Sequence, residues 1–87
     1  MNNGTPRVIT RNDMVQLVCE ALESLGGEGT IVDTAAVIWK NYKDDLESSG
    51  DIFYTWQYDM RWARHKLSKT GKLTTEKRGK ESIWKLI

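Results

Sequence analysis

The sequence predicts a mainly α domain with a small β-sheet, in which three helices form the core and a C-terminal β-hairpin closes it. Three observations carry that expectation. Apolar residues recur at helical spacing in three separate stretches. Glycines follow the first and third stretches, where a helix has to stop. A lysine- and arginine-rich segment near the C-terminus then alternates around a further glycine. Eighty-seven residues suffice for one domain and one core, but not for a core plus a deep catalytic cleft.

The elements follow in order. Residues 1–8 are polar, hold the only proline and are expected to form a loose arm, leaving 9–87 as the single domain. Thr10 and Asp13 have capping-box spacing and Ile9 can staple onto Met14, so the first helix starts there. Met14, Leu17, Val18, Ala21, Leu22 and Leu25 form its apolar stripe, and Gly26-Gly27 ends it. Thr30-Ile31-Val32 is β-branched and reads as a stub strand that can pair with a later hairpin. Asp33 or Thr34 then caps a second helix, with Ala35, Ile38 or Trp39, and Tyr42 on one face. Residues 44–47 either extend that helix or form a separate turn, and Ser48-Ser49-Gly50-Asp51 breaks the chain.

The third helix is expected from about Phe53 or Tyr54 to Thr70. Trp56, Met60, Ala63 and Leu67 make one apolar seam with Trp62 flanking it, and Gly71 is the stop. Gln57, Arg61, Arg64 and Ser68 step along the opposite face, with Tyr54 and His65 beside them. Residues 72–77 go out, Arg78-Gly79 turns the chain, and 82–87 return, which puts Lys77, Arg78 and Lys80 at a hairpin tip. Helix, stub strand, helix, helix, strand, strand is the order of a winged helix-turn-helix domain.

Charge is divided along the chain. Residues 1–53 carry four basic residues against nine acids, a net −5, while 54–87 carry nine against three, a net +6. A whole of +1 thus hides a dipolar molecule, and a basic C-terminal third points to a polyanion partner. Lysine enrichment for solubility is the plainer source of the same pattern.

Trp62-Ala63-Arg64 with Leu67, then Gly71 and Leu73, then Lys77-Arg78-Gly79 and Trp84, resembles the N-terminal winged-helix domain of Mrr-type restriction endonucleases. The resemblance covers residues 51–86 in sequence and the first fifty only in element order. It departs where Lys72 separates Gly71 from Leu73, and where residues 80–83 lengthen the span from Arg78-Gly79 to Trp84. In that family this domain recognises DNA and a separate domain cuts it. With the sequence ending at Ile87, the resemblance implies the binding module and not the nuclease.

The expected function is therefore double-stranded DNA binding in a restriction or regulatory system. The helix of about 54–70 would lie in the major groove and the basic wing of 77–80 on the backbone. Arg61 and Arg64 can bridge guanine or clamp phosphates, and Gln57 can pair with adenine. Tyr54, Gln57, Tyr58 and Arg61 start the helix, where reach into the groove is deepest. Tyr54 and Tyr58 also suit stacking on a base. Lys77, Arg78 and Lys80 suit phosphates or a minor groove, and His65 can touch phosphate. The plainer alternatives are solvated surface, an Arg64 ion pair with the first two helices, and a charged tip that prevents edge pairing.

Neither catalysis, cofactor nor metal is expected. His65 has no ligands at suitable spacing, Asp44, Asp45 and Glu47 lack a calcium-loop pattern, and no nucleophile, base and orienter occur together. Cys19 is the only cysteine and, among apolar neighbours, reads as a buried thiol. No apolar run approaches ~18 residues, so no membrane span and a cytoplasmic location are expected. Further partners consistent with the pattern are a separate nuclease or regulatory protein and a second copy of the chain. The alternative function is a protein–protein adaptor that uses the same fold without DNA, through its acidic first and second helices.

Overall fold

Thr10 and Asp13 start the fold with the expected pair of bonds. In the computed structural model, which describes residues 8–87, the Thr10 N–H donates to Asp13 Oδ2 at 2.8 Å and the Asp13 N–H to Thr10 Oγ1 at 3.3 Å. The arm expected over 1–8 lies outside the described residues apart from Val8. Regular helix α1 begins three residues beyond the cap, at Asp13–Ser24, because the first turn is wound with i+3 bonds. Ile9 and Met14 are both buried, and the Ile9 N–H donates to Ser49 Oγ at 2.6 Å, which ties this end to a distant turn. Gly27 N–H closes the helix on Leu22 O at 2.7 Å.

The stub strand is present but displaced. Strand β1 is Glu28–Thr30, and Ile31 and Val32 belong to helix α2, Ile31–Glu47. The cap is Thr30, not Asp33 or Thr34. Thr30 Oγ1 accepts from the Asp33 N–H at 3.0 Å, while Asp33 Oδ2 accepts from the Thr30 N–H at 3.5 Å. Asp33 thus fills the third position of a capping box, and the buried Thr34 hydroxyl donates to Thr30 O at 2.8 Å. Capping chemistry overrides the β preference of the Ile31-Val32 pair. Residues 44–47 extend α2 beyond a kink at Tyr42, where φ is −128°, and Leu46 is wholly buried.

Helix α3 spans Ile52–Lys69 and buries Trp56, Met60, Ala63 and Leu67 as one seam. Asp59 is buried beside them at 8 % exposure. Its Oδ2 accepts from the Thr55 hydroxyl at 2.8 Å, and its Oδ1 lies 3.3 Å from Arg11 Nε. The Arg11 guanidinium also sits 4.3 Å above the Trp62 ring, so the segment before α1 clips onto α3. At the far end Gly71 takes φ +76°, a conformation that a side chain would strain, and the Lys72 N–H returns to Leu67 O at 2.9 Å.

Strands β2, Leu73–Arg78, and β3, Glu81–Leu86, complete an antiparallel sheet of order β1-β3-β2. Arg78 pairs with Glu81 as the last rung, so the turn is Gly79-Lys80 and not Arg78-Gly79. Gly79 at φ +63° takes the first position of this two-residue loop, where a left-handed residue matches the twist of the strands. Trp84 and Leu73 join Met14, Leu17, Val18, Leu22, Ile38 and Met60 in a single core cluster. The architecture is a three-helix core with a hairpin wing, and α2 and α3 form the helix-turn-helix.

Candidate nucleic-acid interface

The seam of α3 is held by the core, and this fixes which residues face outward. Tyr54, Gln57, Tyr58, Arg61 and His65 follow one another at helical spacing and are all exposed, Tyr54 at 81 % and Tyr58 at 77 %. Arg64 is half-buried beside this row, and its Nη1 donates to Ser68 Oγ at 3.4 Å. Among the described residues, Arg61, Arg64 and His65 form no ion pair. Phe53 is half-buried; Trp39 stacks on Trp56 with centroids 5.9 Å apart and meets Phe53 at 6.5 Å.

The wing does not present Lys77, Arg78 and Lys80 together. Alternation puts Thr75 and Lys77 on the face shared with Trp84 and Ser82, which is turned toward α3. Arg78 is on the outer face with Glu76, Ile83 and Lys85. There its guanidinium meets Glu28 through Nη1 and Nη2, the latter at 3.1 Å, and Glu76 through Nε at 2.6 Å. Lys85 Nζ lies 3.8 Å from Glu76 Oε1. Hydrogen bonds from Arg78 hold both carboxyls below the usual glutamate range, and the same bonds raise the Arg78 pKa. Lys80 is exposed in the turn.

Depressions flank α3 toward α2 and toward the wing. An open groove of about 570 Å³ between α2 and α3 is walled by Val32, Ala35, Ala36, Trp39, Phe53 and Trp56, with Gln57 at its edge. A shallow one of about 70 Å³ shares Val32, Ala35 and Gln57 with it and reaches Arg61. A third, of about 290 Å³, lies between α3 and the wing and is lined by Ile31, Arg61, Arg64, Thr75, Ser82 and Trp84. Sequence reasoning missed Thr75 and Ser82. The signal for Thr75 was its two-residue spacing from Lys77; Ser82 needed the cross-strand register.

Cys19 is half-buried, and burial followed by the nearby Glu23 charge raises its pKa, which disfavours the reactive thiolate. Among the described residues no group of three His, Cys, Asp or Glu side chains is placed to hold a metal ion, and no helix is long and apolar enough to cross a membrane. No protein-family model, curated protein or solved structure matches the chain, so the likeness to the Mrr-type N-terminal domain rests on the residues quoted for it.

Proposed function

We propose that the chain is a winged-helix DNA-binding module of the kind that begins Mrr-type restriction endonucleases, acting in a restriction or regulatory system. The observation that carries this is the outer row of α3. A helix long enough to lie in a major groove exposes Tyr54, Gln57, Tyr58, Arg61 and His65 on one side, with no carboxylate pairing its arginine among the described residues. Lys77 on the inner wing face adds positive charge on the same side. Arg78 contributes less than Lys77, because contacting a phosphate requires it to leave two carboxylates. A cytoplasmic location fits this work.

Chemical-shift mapping with an unlabelled duplex at low salt tests the proposal. Shifts concentrated at residues 54–65 and around Lys77 support it; a chain whose amides do not move has no DNA function of this kind.

A second role has its own observation. The groove between α2 and α3 is apolar, and Val32 on its rim is 72 % exposed. That surface suits protein docking, whether alongside DNA or instead of it. Shifts confined to Val32, Ala36, Trp39 and Phe53 on adding a partner protein, with none on adding DNA, favour docking at this groove over the acidic helix surface expected for an adaptor.

A further inference from the structure

The cleft between α3 and the wing combines features that the α3 row alone lacks. Two arginines, Arg61 and Arg64, and two hydroxyl residues, Thr75 and Ser82, line one depression together with Ile31 and the buried Trp84. The helix places its two cations three residues apart, so both point to one side. The sheet supplies the hydroxyls from adjacent strands, since Thr75 is opposite Trp84 and Ser82 opposite Lys77 on the inner face.

Among the described residues no carboxylate lines the cleft. Glu76 and Glu28 hold Arg78 on the outer face, Glu81 is exposed on that same face opposite Arg78, and Asp59 holds Arg11. Arg64 bonds a neutral hydroxyl, and Arg61 has no ion pair among the described residues. Two arginines lining one cleft, with no ion pair among the described residues, leave a place for an anion. Planar, many-donor arginines with hydroxyl donors beside them match the tetrahedral oxygens of phosphate. At about 290 Å³ the cleft is at the small end for a ligand site, the scale of a phosphate with its sugar rather than of a whole cofactor.

We infer that this cleft is a phosphate-binding notch, in which Arg61 and Arg64 grip the anionic oxygens, the Thr75 and Ser82 hydroxyls donate to them, and the sugar rests on Ile31 and Trp84. The inference deepens the DNA-binding proposal and rests on it for the source of the phosphate, a backbone phosphodiester. It also reassigns Arg61 and Arg64 from reading bases to fixing the angle at which α3 and the wing straddle the strand. A free phosphorylated small molecule has the same chemistry.

Side-chain Nε–Hε and amide spectra of the whole chain, titrated first with inorganic phosphate and then with duplex DNA, test the notch. Phosphate at millimolar concentration should shift Arg61, Arg64, Thr75 and Ser82, while chloride at matched ionic strength should not. Duplex DNA should move the same signals. The variant Thr75→Val/Ser82→Ala, altered only at exposed positions and checked for an unchanged core spectrum, should bind DNA about tenfold more weakly through its two lost hydrogen bonds. Phosphate shifts without DNA binding would keep the notch, assign it to a small phosphorylated ligand and sink the DNA proposal. DNA binding by the double variant at wild-type strength, with no phosphate shifts at Arg61 and Arg64, would overturn the notch and leave DNA binding standing.

Discussion

Arg78 and Glu28, 50 residues apart in the chain, meet through both guanidinium Nη atoms across the three-stranded sheet. The pair sews the wing to the strand that precedes α2. It also draws a residue that looks like a DNA contact into a structural role.

The pH dependence follows from that pair. Folded Glu28 and Glu76 titrate below the ordinary value of 4.5, so their contribution is complete above that pH and is lost as pH falls through their lowered folded values. Both are half-exposed at the surface, and the effect should be small and weakened by salt. Thermal melts of wild type and Glu28→Gln/Arg78→Met should differ slightly at pH 7 and coincide near pH 2. Equal melts at pH 7 would mean that the clamp does not stabilise the fold.

Leu46→Ala should destabilise by about 2–5 kcal/mol, the usual cost of emptying a buried leucine site. Urea denaturation measures it. A cost near zero would make residues 44–47 a solvated end, contrary to their place as the last turn of α2.

Thr30→Ala should cost about 1 kcal/mol through loss of the capping box. Thr30→Ser, which keeps the hydroxyl, should recover most of it in the same denaturation assay. Equal losses in both variants would point to the methyl group rather than the cap.

Asp59→Ala should cost about 1–3 kcal/mol, because its buried carboxylate bonds Thr55 and Arg11. Arg11→Ala should cost less, since Arg11 is exposed and water can hydrate the Asp59 oxygen in its place. The double-mutant cycle should show coupling, and strict additivity would separate the two residues.

What was legible in the sequence followed from local periodicity. Trp56, Met60, Ala63 and Leu67 announced their seam, and Gly71 announced its end. The Thr10–Asp13 box was readable for the same reason, being complete within four residues. The start of the second helix is harder to read, because Thr30-Ile31-Val32 has strand composition and, with Asp33, also a capping box, and the capping chemistry prevails. At the candidate interface the α3 row was visible as helical spacing. The Arg78–Glu28 clamp and the Thr75/Ser82 side of the notch were not, because both depend on which strands pair and in what register.

Fluorescence anisotropy of a labelled duplex, at about 50 and about 200 mM salt, tests the central claim most directly. If about five basic side chains meet phosphates, wild-type affinity should fall several hundredfold between those salts, from a slope of about −0.9 per contact. Arg61→Ala/Arg64→Ala should bind more weakly at low salt and with a slope shallower by about two contacts. Wild-type strength and slope in that double variant, or no binding by wild type at about 50 mM salt, would contradict a DNA-binding role for α3.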